Sequence, residues 1–264
     1  MQVAHVNGIH LHYRETGPKS GFPVVFSNSL GTDFRVWEHL LPHLGDGFRV
    51  LLYDKRGHGL SDCPAGPYTI DDHVEDLAGL MQALDMGPAV ICGLSVGGLI
   101  AQGLTASHPD RVKGLILSNT ADKIGPPEIW AERITALQAG GISALSEPIL
   151  ERWFSSDFRE HRSQELAGWR QMLERTPLEG YLGTIAAIRD ADMTVAAQNI
   201  AVPTLCIAGS DDGATPPELV KSMADLIPAA KFHMIDGAGH LPCVEKPDLM
   251  AQMIRNFLKG ADFG

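Results

Sequence analysis

The chain has 264 residues, with 32 acidic against 21 basic side chains and a formal charge of −11. Hydrophobic residues make up 44% of it and charged residues 20%, the balance of a soluble globular protein, which excludes disorder over the bulk of the chain. The acidic excess disfavours nucleic acid and anionic membrane surfaces as partners, because both require a basic footprint; a small anionic ligand can still meet a local cationic group.

Taken in chain order, Val3 to Glu15 alternates around Asn7-Gly8, which predicts an antiparallel hairpin. Met1 to Gly17 lacks a basic stretch followed by an apolar run, so no secretory leader is expected and a cytoplasmic location follows. Short apolar runs then recur at Val24–Phe26, Arg49–Tyr53, Ala89–Cys92, Val112–Ser118, Thr204–Ala208 and Lys231–Ile235. Most are nearly continuous, as in strands buried on both faces of a parallel sheet. Helices fit between them at Ile70–Leu84, Leu99–Ala106, Pro217–Leu226 and Pro247–Leu258. In the first, Asp71 and Asp72 sit where the helix dipole favours negative charge. The alternation predicts an α/β fold with a mostly parallel central sheet. Ala89 to Ala106 carries no charge and is long enough to span a membrane. Its glycines, with Ser95 and Gln102, divide it instead into a buried strand, a tight turn and a buried helix.

One interval breaks the rhythm. Residues 122–201 carry almost no strand signal but have helical patterns at Pro127–Ala139, Ser146–Phe154, Arg162–Arg175 and Leu178–Ile188. A gap this long exceeds an ordinary crossover, so it is expected to be a helical lid inserted into a core made of residues 1–121 and 202–264. Three of the four tryptophans and seven of the 13 arginines fall in it. Cys63, Cys92, Cys206 and Cys243 are far apart with no ligand-like spacing, so no metal site is expected, and Cys92 and Cys206 read as buried strand residues.

Chemistry enters at Gly93-Leu94-Ser95-Val96-Gly97, a G-x-S-x-G pattern that a random chain of this composition would contain about 0.15 times. An apolar strand runs into it and a helical segment follows. That context puts a serine hydroxyl on a sharp turn above the sheet edge, with helix N–H groups beside it. A serine needs a base. Of the histidines after Ser95, His108 closes a helix, His161 lies among lid charges and His233 is mid-strand. His240, in the loop after the last strand, leaves the sheet on the same side as Ser95. The acid that orients it is assigned to Asp212, after the fifth apolar run. Asp122 is the runner-up, Asp211 reads as a local turn residue, and Asp236 as a cap to the strand end. Two backbone donors are needed for an oxyanion: Val96 N–H and, from the loop Ser27-Asn28-Ser29-Leu30-Gly31, Leu30 N–H.

Together these segments resemble the α/β-hydrolase superfamily over essentially the whole chain. Asp54-Lys55-Arg56-Gly57-His58-Gly59-Leu60-Ser61 looks like its D-x-R-G-x-G-x-S segment, which is read as structural, and Gly239-His240 with Glu245-Lys246-Pro247 looks like its histidine segment. Many members read His-Gly-x in the oxyanion loop, where this chain has Asn28-Ser29-Leu30. With Gly31-Thr32-Asp33, Ser118-Asn119-Thr120-Ala121 and Gly213-Ala214-Thr215-Pro216-Pro217, that departure is similar to the 3-oxoadipate enol-lactonases. The resemblance implies a small-molecule lactone substrate, an acyl-enzyme on Ser95, and no cofactor or metal. The substrate carries a carboxylate, for which Arg133 is the expected partner, with Trp153 as an apolar wall. Alternatives on the same triad are a broad carboxylesterase, a carbon–carbon bond hydrolase and a cofactor-free perhydrolase. Outside enzymes, a ligand receptor on a hydrolase scaffold would also retain this fold.

Overall fold

The structure is a computed structural model that describes residues 1–261, so the last three residues of the 202–264 core segment lie outside it. Among the described residues, eight strands form one sheet: β1 (Gln2–Val6), β2 (Ile9–Thr16), β3 (Phe22–Ser27), β4 (Phe48–Tyr53), β5 (Ala89–Leu94), β6 (Val112–Ser118), β7 (Thr204–Gly209) and β8 (Lys231–Ile235). Their order is β1-β2-β4-β3-β5-β6-β7-β8. The hairpin forms as expected: Asn7 and Gly8 take φ of 49° and 79°, both left-handed, and Val6 pairs Ile9 antiparallel. β2 pairs β4 antiparallel, and every later pairing is parallel. β5 and β7, the continuous apolar runs, are buried at every residue. β8 closes the sheet and is largely exposed, His233 included.

The chain passes from β3 to β4 on one side and then back across β3 to β5, so strand order reverses between β3 and β5. At such a reversal the loops leaving the carboxyl ends diverge and open a crevice. Here those loops are the ones after Ser27 and Leu94, which places the expected oxyanion loop beside the expected nucleophile.

The charge-free stretch divides as predicted into β5, a turn at Ser95, and a helix that begins at Val96 and runs to Ser107. Among the described residues no helix is long and apolar enough to cross a membrane. The helix Ile70–Ala83 has a reciprocal cap that the charge pattern alone did not show. Asp72 N–H donates to Thr69 Oγ1 at 3.1 Å, and Thr69 N–H donates to Asp72 Oδ2 at 2.8 Å.

Between β6 and β7 the described chain is helical: Pro127–Gly140, Ser146–Trp153, Ser156–His161, Ser163–Glu174, Leu178–Asp190 and Thr194–Gln198. Two of these short helices were not anticipated, and one, Ser156–His161, is capped by Ser155, whose side chain accepts from Phe158 N–H at 3.2 Å. The insert rests on the core through Leu178–Asp190, whose residues are mostly buried. Gly180 meets Gly57 there, and a Cβ on Gly180 would lie 2.2 Å from Gly57 O. Helix and loop backbones can therefore touch only where both lack a side chain.

The reading of the Asp54–Ser61 segment as structural holds for Arg56. Arg56, 8% exposed at its side chain, grips Asp76 through Nε at 2.6 Å and Nη2 at 2.7 Å. Asp76 also accepts from Asn7 Nδ2 at 2.9 Å, which ties the hairpin turn to the core. Removing one partner of a buried pair leaves an uncompensated charge. Asp76→Ala should therefore lower the unfolding free energy by about 3 kcal/mol in urea titrations. Lys221→Ala, which breaks an exposed pair with Asp225, should stay within about 0.5 kcal/mol.

Candidate active site

Ser95 sits between a buried strand and a buried helix with φ 59° and ψ −121°. A non-glycine residue there is strained by about 1–3 kcal/mol and persists only where its surroundings dictate it. Ser95 N–H donates to Ser118 O at 3.0 Å, and Ser95 O accepts from Gly98 N–H at 2.8 Å and Thr120 Oγ1 at 2.7 Å. The flanking glycines are required by contact: a Cβ on Gly97 would lie 2.1 Å from Ser27 O, and one on Gly93 would lie 2.3 Å from Gly97 O. Val96 opens the helix, so its N–H is among those with no intrahelical acceptor. Leu30 N–H has no hydrogen-bond acceptor among the described residues. Both expected oxyanion donors are therefore unengaged.

The loops after β7 and β8 bring Asp212 and His240 together. His240 Nδ1 and Asp212 Oδ2 are 2.9 Å apart, with side chains 2% and 0% exposed. Four further donors converge on the carboxylate: Asn119 Nδ2 at 2.9 Å and Thr215 Oγ1 at 2.7 Å on Oδ2, and the N–H groups of Ala214 at 2.7 Å and Thr215 at 2.9 Å on Oδ1. Burial opposes the Asp212 charge, but the His240 charge and these hydrogen bonds outweigh it and hold its pKa below the ordinary aspartate value. An ionised Asp212 accepts only, which places the His240 proton on Nδ1 and leaves Nε2 as the basic atom. Nε2 lies 3.4 Å from Ser29 Oγ in the oxyanion loop. The expected Ser95–His240 hydrogen bond is not formed among the described residues; such contacts are commonly loose before substrate binds.

The insert contributes backbone as well as side chains. Trp153 O accepts His240 N–H at 2.8 Å, and Arg152 O accepts Gly213 N–H at 3.2 Å. Trp153 is also buried against the oxyanion loop, its ring 3.3 Å from where a Gly31 Cβ would sit, with Tyr181 at 2.9 Å from the same point. Arg133 is half-buried on its helix. Its Nη2 donates to Tyr181 OH at 2.6 Å, and its guanidinium lies over the Trp130 and Tyr181 rings. Arg133 is thus one side chain removed from the oxyanion loop.

The other acids lie elsewhere. Asp122, the runner-up, accepts from Thr194 Oγ1 at 2.9 Å; Asp211 makes a local bond from Ser210 Oγ at 2.8 Å; Asp236 is exposed and makes no hydrogen bond among the described residues, so it does not cap the strand end. His108 pairs with Glu75, and His161 with Asp157, away from Ser95. Three positioning groups were not assigned from the sequence. Asn119 and Thr215 hold Asp212. The third, Glu245, accepts from Gly239 N–H at 2.8 Å and from Ser155 Oγ at 2.5 Å, joining the histidine loop to the insert. Burial raises the Glu245 pKa, against the pull of these bonds. A cavity of about 590 Å³ opens beside Phe34, Leu60 and Met172, and none of Ser95, Asp212 or His240 lines it.

The strand–serine–helix turn, the order Ser95, Asp212, His240 and the mostly parallel sheet define a class. The family model for the alpha/beta hydrolase family matches residues 24–253, and the chain belongs to that family. Within it the chain is an enzyme of the carboxylic ester hydrolase class, and it resembles the enol-lactonases in sequence and in structure. It is 34% identical to a 3-oxoadipate enol-lactonase of Acinetobacter baylyi, over 98% of this chain and 97% of that one. The crystal structure of the enol-lactonase from Burkholderia xenovorans LB400 superposes with a TM-score of 0.95 at 40% identity, covering 98% of this chain and all of that one. A putative non-heme bromoperoxidase of Mycobacterium tuberculosis is 30% identical, over 94% of this chain and 97% of that one.

The depressed Asp212 pKa makes a stability prediction. Its carboxylate adds stability that is fully present above the ordinary unfolded aspartate value and is lost as pH falls through the lower folded value. This contribution to wild-type stability should therefore be constant down to about pH 5 and decline as pH falls below it. Asp212→Asn, followed by urea unfolding across that range, should show a smaller decline. An equal decline would mean that the carboxylate is not stabilised as charged.

Proposed function

We propose that the chain is a serine hydrolase that opens the ring of 3-oxoadipate enol-lactone to give 3-oxoadipate, through an acyl-enzyme, in the degradation of aromatic compounds in the cytoplasm. The observation that carries it is the buried Asp212–His240 pair at the same sheet edge as the strained Ser95. The named activity of the enol-lactonase relatives supports the substrate.

In this mechanism His240 Nε2 takes the Ser95 proton as Oγ bonds to the lactone carbonyl carbon. Asp212 stabilises the imidazolium that results. The N–H groups of Leu30 and Val96 hold the oxyanion. As the intermediate collapses, the ring C–O bond breaks and the leaving enolate oxygen takes the proton back from His240. An enolate leaves more readily than an alkoxide, and the enol then becomes the ketone, which makes re-closure unfavourable. Water, deprotonated by His240, cleaves the Ser95 ester and restores the hydroxyl. No step calls for a metal. Arg133 meets the carboxylate of the lactone and Trp153 walls the ring.

Purified protein should turn over the enol-lactone in the presence of a chelator, and faster than a generic aryl ester. Ser95→Ala should remove this activity with the circular dichroism spectrum retained. Turnover of the lactone no faster than the aryl ester would overturn the substrate. Arg133→Ala should raise KM about tenfold for the lactone and leave KM for a neutral ester within about twofold; an equal loss on both would remove Arg133 from the carboxylate site.

A further inference from the structure

Two side chains of the loop after β4 grip the oxyanion loop, and the mechanism above uses neither. Lys55 is 1% exposed, and its Nζ donates to Ser29 O at 2.6 Å and to Thr32 O at 3.3 Å. Ser29 O also accepts from Thr32 Oγ1 at 2.9 Å. His58, fully buried, accepts Gly31 N–H at Nε2 at 3.0 Å, while its Nδ1–H donates to Arg56 O at 3.1 Å.

The contacts to Ser29 O and Gly31 N–H fall on the two peptide units that flank Leu30. A trans peptide directs its C=O and N–H to opposite sides of one plane. Ser29 C=O shares its plane with Leu30 N–H, so a carbonyl held towards Lys55 turns the Leu30 N–H the other way. Leu30 C=O shares its plane with Gly31 N–H, and His58 fixes that unit. We propose that Lys55, seconded by His58, is a positioning residue for the oxyanion hole, aiming the Leu30 N–H and polarising it through the carbonyl of the same peptide. The proposal rests on the serine-hydrolase mechanism, with Leu30 as donor.

The surroundings of Lys55 support a role beyond packing. Its ammonium is buried with two backbone carbonyls as direct partners, an expensive arrangement for a lysine. Hydrogen bonds in a chain strengthen one another, and a cation on a peptide oxygen makes that peptide's N–H a better donor. Burial draws the Lys55 pKa down to about 7, against the upward pull of Asp54 and Asp33. The other titratable groups facing it, His58 and His73, are held neutral by burial first and by the Lys55 charge second. The charge of Lys55 is thus lost on the alkaline side of neutrality.

The test compares wild type, Lys55→Met and Lys55→Gln on the enol-lactone and on p-nitrophenyl acetate. Lys55→Met should lower kcat by about 10- to 100-fold with KM within about twofold. It should also lose the wild-type decline of kcat above about pH 7. Lys55→Gln keeps a neutral donor and should fall between the two; it carries the test if Lys55→Met does not fold. Amide hydrogen exchange should quicken in the segment 28–32 of either variant and stay unchanged elsewhere. A kcat within twofold of wild type, an alkaline decline that persists in Lys55→Met, or unchanged exchange in the segment overturns the proposal. Wild type that cleaves the aryl ester but not the lactone would sink the substrate assignment alone, and Lys55 is then read on the ester. If wild type cleaves neither, the exchange measurement still decides.

Discussion

A serine held at φ 59° between a strand and a helix is the constraint on which the rest of the site depends. Strain of about 1–3 kcal/mol at one residue is sustained only by a framework that leaves the chain no other path. β5 supplies six buried residues before the turn, and the helix Val96–Ser107 buries its first nine. Ser118 and Thr120 clamp the serine backbone from β6 and the loop beyond it. The same turn drives Gly97 against Ser27 O, so the loop leaving β3 is brought to the serine by backbone contact. That contact lies at the point where strand order reverses, and the loop after β3 and Ser95 meet there because the sheet topology puts both loop origins side by side.

The helical segment between β6 and β7 is a working part of this arrangement. Consecutive carbonyls, Arg152 O and Trp153 O, accept from the acid loop at Gly213 and from His240 itself. Glu245 closes the same circuit from the other side through Gly239 and Ser155. A shift at the end of the helix Ser146–Trp153 would therefore be felt by both members of the Asp212–His240 pair. The net charge of −11 says little about this region. What acts locally is a carboxylate surrounded by donors, a buried lysine under the oxyanion loop, and Arg133 against Tyr181.

Much of this was legible in the sequence, for physical reasons that also set the limit. Strands buried on both faces must be apolar throughout, so β5, β6 and β7 were visible as runs. Asn7-Gly8 announced its hairpin because two left-handed residues are needed there. Ser95, Asp212 and His240 were readable because each lies just past a strand, where the end of the strand locates the residue. Asn119, Thr215, Glu245 and Lys55 were quoted within motifs but given no role. Their partners are set by folding: Asn119 and Asp212 are 93 residues apart, and Ser155 and Glu245 are 90 apart. A hydrogen bond across that distance leaves no local pattern. The Asp54–Ser61 segment shows the same limit. It was read as structural, which holds for Arg56 in its pair with Asp76, while its Lys55 and His58 reach the oxyanion loop.

The central claim is that Ser95 carries the acyl group during lactone opening. Acid-quenching the enzyme during turnover, followed by peptide mass mapping, tests it directly. The account predicts an added mass equal to that of the intact lactone, on the peptide containing Ser95 and absent from Ser95→Ala. Turnover with no adduct at Ser95, or with the adduct on another residue, would contradict it.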